Sequence, residues 1–413
     1  MPPNGFRTSR IRDLGRAVVF FLTLLAGCGE APPTEQTIVS DSSGVRVVSN
    51  LGPDTPLEWT FTPTLTLGGE ESGPESFYSV SEWTVGVDAD GRIYVLDADG
   101  HRLIVFADDG SHLRTLGREG KGPGEISWPF RLTVKPDGTA LIDDVGRGSV
   151  HGYDSEGTSL DAVEELVPNN RRVWGTEGYY SALSTIEDEH MLYQFFRVVG
   201  ADTTELARHT SPATGVVQLE SCGMSLSGMS LLFASNIVWD AWRGRAAAIS
   251  GAAYRIETFD DGTHVASYRR AIEPRRATRD LAIREVGDGM RMVSAAGIRE
   301  CSADEVVEKR GFEELVPAIR AVRVGPDGRV WVSRGGPRSE PTPTDVLAAD
   351  GKYIGTLPAD APFPMGFLPD GRVLASERDE LDVTRLVVYR IDEAPPGSAR
   401  RLTPSTVTVA LTK

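Results

Sequence analysis

A turn signal that returns at nearly fixed intervals constrains this chain more than any other feature. Val87-Asp88-Ala89-Asp90-Gly91-Arg92 leads into the run Ile93 to Asp97, His101 to Phe106 follows, and Asp108-Asp109-Gly110 ends the unit. The apolar runs are short, and the breaks carry the Asp-Gly signal of a tight hairpin. A shift of 47 residues lays Gly91 on Gly138, Asp97 on Asp144, Phe106 on Tyr153 and Gly110 on Gly157. A second correspondence, with a shift of 49, lays Leu67-Gly68 and Gly73-Pro74 on Leu116-Gly117 and Gly122-Pro123. The pattern returns as Gly325-Pro326-Asp327-Gly328-Arg329-Val330 and, 43 residues on, as Leu368-Pro369-Asp370-Gly371-Arg372-Val373. Between Gly138 and Gly328 there is room for two more units. One is visible as Arg245 to Ser250, Tyr254 to Phe259 and His264 to Tyr268; the other is degenerate, with runs His190 to Phe196, Glu205 to His209 and Gly215 to Leu219. Antiparallel four-stranded units of about 40 to 50 residues bury their faces by stacking around an axis, so the expected fold is all-β, a six-bladed β-propeller.

Two departures from the rhythm carry further expectations. The last unit shows runs at Pro364 to Pro369, Arg372 to Ser376 and Leu386 to Ile391, but no clear fourth before Pro395-Pro396-Gly397. Trp59 to Leu67 ends in the same Leu-Gly that closes the first unit, which makes it the expected outer strand of the last blade and removes an open seam; Val407 to Leu411 competes for that place. Residues 271–320 break the strand pattern. Thr278 to Val286 and Ser302 to Ile319 have helical composition, with Ser302 and Glu305 spaced as a capping box, so a partly helical insertion is expected between blades four and five.

The charge balance excludes one class of partner. Lys+Arg 43 against Asp+Glu 59 gives a formal charge of −16, which argues against nucleic acid. At the N-terminus, Arg7, Arg10, Arg12 and Arg16 precede the apolar stretch Ala17 to Leu25, too short to span a bilayer, and the segment closes on Leu25-Ala26-Gly27-Cys28. Those four residues resemble the lipobox of bacterial lipoproteins. The resemblance implies a signal peptide over 1–27, lipidation of Cys28, and a polar tether over 28–44 leading to the propeller at 45–413. Gly29 rather than Asp after the cysteine leans, by analogy with that class, toward the outer membrane.

A wider resemblance covers about residues 45 to 392. Val95-Leu96-Asp97, followed by Arg102, Ile104 and Phe106 and then by Gly117, Gly122-Pro123-Gly124-Glu125 and Pro129, resembles the NHL repeat. The whole chain resembles the six-bladed propeller lipoproteins of diderm bacteria, which implies an envelope protein anchored by its N-terminal lipid. Gly100 stands where that repeat usually has Asn, and Ser149 replaces Arg102 in the second unit, so links between blades differ there.

Strand alternation sets which loops share a face. Connections from second to third strand, and from the fourth strand to the next blade, emerge together, opposite the Asp-Gly turns. This face is the expected ligand face, with Asp97, His101, Arg102, Arg118, Lys121, Trp128, Arg171 and Trp174 as its candidates beside the insertion. Cys222 follows the fourth strand of unit three and Cys301 lies in the insertion, so both fall on this face on adjacent blades. A Cys222–Cys301 disulfide is expected in an oxidising compartment, with two free thiols as the alternative. Such a bridge would pin the insertion onto the propeller as the roof of a pocket.

Catalytic signatures are sparse. The chain has no H-E-x-x-H, no G-x-S-x-G and no metal-type cysteine spacing, and the glycines around Lys121 lack the phosphate-loop pattern. No cofactor is expected, although the carboxylates Asp97/Asp99 and Asp143/Asp144 leave Ca²⁺ open as a hard-oxygen site. The expected function is a non-catalytic, monomeric binding or scaffold module for a protein, peptide or glycan partner. The alternative is a metal-assisted (Ca or Zn) hydrolase or lyase at the channel mouth, as some relatives by fold are.

Overall fold

The computed structural model describes residues 37–68, 76–77, 80–165, 171–175, 177–294, 297–378 and 384–394. Cys28, the signal segment and Val407 to Leu411 lie outside them. The described residues form a six-bladed β-propeller whose blades run from an inner to an outer strand. Blade one comprises Val85–Val87, Ile93–Asp97, Arg102–Phe106 and His112–Leu116; blade two Pro129–Val134, Ala140–Asp144, Ser149–Tyr153 and Ser159–Glu165. Blade three comprises Arg171–Trp174, Tyr179–Glu187, His190–Val199 and Asp202–Pro212; blade four Ile237–Trp242, Arg245–Ser250, Arg255–Asp260 and Thr263–Arg270. Blade five is Ile319–Val324, Val330–Arg334, Thr344–Leu347 and Tyr353–Leu357, and blade six begins with Gly366–Phe367, Val373–Arg378 and Thr384–Asp392.

The recurring turn works through its two signature residues. Gly138, Gly328 and Gly371 sit at φ of 85°, 78° and 92°, a region that penalises any residue with a Cβ. In these turns the preceding Asp accepts from the N–H two residues on: Asp137 from Thr139 (2.9 Å), Asp327 from Arg329 (3.0 Å) and Asp370 from Arg372 (3.0 Å). In the first unit Asp88 takes over, accepting from the N–H groups of Asp90 and Arg92.

The N-terminal part closes the ring. Strands β1 (Thr37–Ser42), β2 (Val45–Asn50) and β3 (Thr60–Leu67) add to the outer sides of blades four and six. β3 pairs antiparallel with Thr384–Asp392, from Thr60 opposite Asp392 to Leu67 opposite Leu386, and so becomes the fourth strand of blade six. Its Leu67 joins Leu386, Val388, Ile93, Val95 and Phe106 in one buried cluster, which fastens blade six to blade one.

β2 adds in parallel to Thr263–Arg270, and β1 folds back on it, so blade four has six strands. Residues 37–44 therefore belong to the folded body rather than to the tether expected over 28–44: Ser43 and Gly44 make the turn, and Asp41 accepts from the Gly44 N–H. Between β2 and β3 the chain crosses blade five, where Leu57 N–H donates to Thr356 O at 2.9 Å and Thr356 N–H to Thr55 O at 2.8 Å. One belt thus covers the outer edges of blades four, five and six in succession, removing exposed strand edges.

Blade three differs from its expected register. Its strands are nine to eleven residues long after the first, and Val217–Leu219 pairs with Met224–Leu226 outside the blade. The insertion holds helices α1 (Arg279–Val286) and α2 (Ala303–Arg310) and a hairpin, Met290–Ser294 with Gly297–Cys301. α2 ends well before the expected Ile319, because Gly311 at φ 73° caps it and Leu315–Val316 then pairs with Arg275–Arg276. The capping box is half-formed: Ser302 Oγ accepts from Glu305 N–H, but the Glu305 carboxylate accepts from the N–H groups of Glu220 and Ser221 instead of returning to Ser302.

Candidate functional site

Two connections to inner strands, residues 213–236 before blade four and 271–318 before blade five, emerge on the expected ligand face and form a cap. Cys222 and Cys301 join them in a disulfide, with Cα atoms 4.9 Å apart and 79 residues between them in sequence. Around it pack Leu219, Val306, Met224 and Val286, and a second small cluster gathers Leu232, Ala282, Val307 and Phe312. The cap therefore has its own apolar core and a covalent staple.

Between cap and propeller lies a cavity of about 580 Å³, lined by Leu231, Phe233, Val286 and Met290 and by three arginines, Arg310, Arg320 and Arg338. Arg310 Nε donates to Ser230 O at 2.7 Å. Arg320 donates to Pro337 O (3.2 Å), Glu340 O (3.0 Å) and Ser333 Oγ (3.2 Å). Glu285 pairs with Arg338, Nε to Oε1 at 3.0 Å, and also accepts from the Arg338 N–H at 2.7 Å. Burial pushes the pKa of Arg310 down, the charge of Arg338 pushes it further, and Glu285 opposes. Burial likewise lowers Arg320, with Glu285 opposing and Arg338 reinforcing.

The second concavity is the central channel, a cavity of about 190 Å³ lined by the inner strands of all six blades. Trp83 lines it at the cap-face end, and Trp128 and Phe130, where the inner strand of blade two begins, lie on the same side of the ring; the three are exposed at 38%, 60% and 49%. The guanidinium of buried Arg131 lies 5.1 Å from the Trp83 ring and 5.2 Å from that of Phe130, and Arg131 also pairs with Asp143 at 3.5 Å. Arg323 pairs with Glu82 and stands 5.6 Å from the Phe363 ring, while Asp240 accepts from the Val324 N–H. The mouth is thus an aromatic surface around charge-balanced arginines. Among the described residues no three His, Cys, Asp or Glu side chains gather as a metal set.

The expected site residues divide between mouth, rim and turns. Trp128 stands at the mouth. Asp97 is fully buried and pairs with Arg102 at 3.0 Å, and Arg102 also donates to Ser76 O, so both fasten the second turn of blade one, where His101 adopts φ 52°. Arg118 pairs with Glu125 at 2.9 Å on the exposed loop that also carries Lys121; Glu125 closes that loop by accepting from Gly122 N–H. Arg171 opens the inner strand of blade three. Trp174 ends that strand and so lies at the opposite end of the channel, stacked on Tyr179 at 4.7 Å beneath Lys135. Three of the four carboxylates considered for Ca²⁺, all but Asp99, are already engaged: Asp97 by Arg102, Asp143 by Arg131, and Asp144 by His151 and the N–H groups of Ser127 and Trp128.

Sequence reasoning missed Trp83, Phe130, Arg131, Arg310 and Arg320. Phe130 and Arg131 sit at the start of an inner strand, and the signal that could have found them is that register: residues opening an inner strand surround the channel mouth.

The family DUF5128, described as a 6-bladed beta-propeller, matches residues 85–163, the span of blades one and two. No curated protein matches the sequence. Among solved structures the chain is similar to an exported-protein candidate from Bacteroides fragilis, at 12% identity over 84% of this chain and 100% of that one, with a TM-score of 0.45. A DUF4221 family member from Bacteroides vulgatus is similar at 11% identity over 82% and 99%, with a TM-score of 0.45. Regucalcin from Agrobacterium tumefaciens, a calcium-binding protein, is similar at 13% identity over 81% and 95%, with a TM-score of 0.35.

Proposed function

We propose that this propeller is an extracytoplasmic, non-catalytic binding module, anchored to the outer membrane through lipidated Cys28, that engages a protein, peptide or glycan partner at its channel mouth. The observation that carries the reading is the exposed set Trp83, Trp128 and Phe130 around Arg131. Tryptophan and arginine concentrate binding energy at interfaces, because each presents a large face with a polar edge. The disulfide supports the location, since such bonds persist outside the reducing cytoplasm. A rigid ring suits a scaffold that presents a fixed surface.

The test is crosslinking capture from membranes by the lipidated protein, comparing the wild type with a Trp128→Ala, Phe130→Ala variant. Both side chains are exposed, so stability should change by less than about 0.5 kcal/mol, while the captured partner should be lost. Equal capture by the two proteins would remove the mouth from consideration. Cys28→Ala should leave the membrane fraction, and continued membrane association would remove the anchor.

A further inference from the structure

The cap cavity is a second concavity, separate from the mouth, and its chemistry differs. At about 580 Å³ it falls within the range of roughly 300–1,000 Å³ typical of small-ligand sites. Its apolar wall, formed by Leu231, Phe233, Val286 and Met290, faces a guanidinium whose hydrogen bonding is incomplete. Arg310 spends only Nε, on Ser230 O; among the described residues its two terminal nitrogens have no hydrogen-bond partner. Arg320 spends its terminal nitrogens on neutral oxygens. The carboxylate that lines the cavity, Glu285, is taken by Arg338 through both its oxygens.

Three guanidinium groups and one carboxylate therefore line this space, and among the described residues neither Arg310 nor Arg320 has an ion pair of its own. Both guanidinium groups are half-buried, and burial together with the nearby charge of Arg338 lowers the pKa of both against the opposing effect of Glu285. A bound anion would supply the missing charge. The planar fork of Arg310 matches a carboxylate in two-point geometry, and the apolar wall suits a hydrocarbon body.

We propose that the cap cavity binds a small organic carboxylate with an apolar body, its carboxylate received by the terminal nitrogens of Arg310 and its hydrocarbon laid against Leu231, Phe233, Val286 and Met290. The two cap connections stapled by Cys222 and Cys301 hold the walls of this site together. It does not depend on a partner at the channel mouth.

Isothermal titration of the mature protein with decanoate, decanol and inorganic phosphate tests it. Decanoate should bind saturably, at least tenfold tighter than decanol, which lacks the charge, and tenfold tighter than phosphate, which lacks the body. Arg310→Met should weaken decanoate at least tenfold and leave decanol unchanged, with Arg310→Lys recovering part of the loss. Glu285→Gln removes the carboxylate that competes for the arginines and should tighten decanoate several-fold, a gain that a misfolded variant would not give. Decanol or phosphate binding as tightly as decanoate would overturn the proposal. So would decanoate affinity unmoved by Arg310→Met, or weakened by Glu285→Gln.

Discussion

Asp144 and His151 face each other across the second and third strands of blade two, with Oδ2 and Nε2 3.1 Å apart and both side chains buried. Blade one places Asp97 and Arg102 in the corresponding turn, at 3.0 Å. Where Ser149 replaces the arginine, an imidazole two residues further along the strand supplies the partner. Asp144 also accepts from the N–H groups of Ser127 (2.7 Å), Trp128 (2.9 Å) and Arg147 (3.2 Å). This one carboxylate holds the backbone that presents Trp128 at the mouth.

Its acidity follows. Burial pushes the Asp144 carboxyl up, but His151 and the Ser127 and Trp128 N–H groups outweigh that and hold it at about 2. A depressed folded pKa gives stability that is present above the unfolded value near 3.8 and is lost as pH falls toward 2. The shift corresponds to about 2 kcal/mol. Asp144→Asn should lose that amount at pH 7, and denaturant unfolding of the two proteins between pH 5 and 2 should show the gap closing. A gap that stays constant through this range would mean that Asp144 acts by shape rather than charge.

The repeat made most of this fold legible. Asp-Gly turns punctuate units one, two, five and six, and their spacing located the blades. Blade three was misread because its hairpins turn at Asp188-Glu189 and Gly200-Ala201 without that signal, so its strands grow to nine or more residues unannounced. β2 was missed for another reason: Val45–Asn50 reads as a strand, but nothing in it names the distant Thr263–Arg270 as a parallel partner. The mouth was half-visible. Trp128 lies in a loop the alternation rule could place, whereas Trp174 went to the wrong end because its strand, only four residues long, was never located. Cys222 and Cys301 were found because strand direction alone sends both connections to one face. Arg310 gave no signal, since on a short helix one charged residue among several looks like a solvated surface.

The disulfide should matter more to the cap than to the ring. In the chain-entropy picture, closing a loop of this length is worth about 4 kcal/mol, an upper figure when the native state is strained. Cys222→Ala, Cys301→Ala should leave the six blades folded while residues 213–236 and 271–318 become cleavable by protease. Hydrogen exchange followed by peptide mapping checks this; uniform loss of protection across all blades would show instead that cap and ring unfold together.

Leu67 tests the closure. It is buried between blades six and one, at the end of a strand contributed from the other end of the chain. Leu67→Ala should cost about 2–5 kcal/mol, while Leu113→Ala, on a half-exposed outer strand of blade one, should cost little. Because β3 joins the two ends of the ring, the loss should appear as a lower midpoint of one cooperative transition. A separate early transition would mean that blade six can fray while the others stand.

The belt carries a graded electrostatic test at its crossing of blade five. Asp345 is fully buried and pairs with Arg270 (2.9 Å) and Arg334 (2.7 Å), while Asp54 of the belt, half-exposed, reaches the same two arginines at 3.0 and 2.6 Å. Tyr254 and Thr356 also donate to Asp345. Side-chain hydrogen bonding from Arg334 lowers the Asp54 pKa against the opposing effect of burial, and the two carboxylates outweigh burial to raise that of Arg334. Removing the inner carboxylate leaves buried Arg270 with only the solvated one, so Asp345→Ala should cost about 3–5 kcal/mol. Asp54→Ala leaves Asp345 in place and should cost about 1 kcal/mol, more of it at low salt, because that pair is partly screened. Denaturant unfolding of both variants at low and high salt decides it: equal losses would show that the belt, rather than the buried carboxylate, neutralises the two arginines.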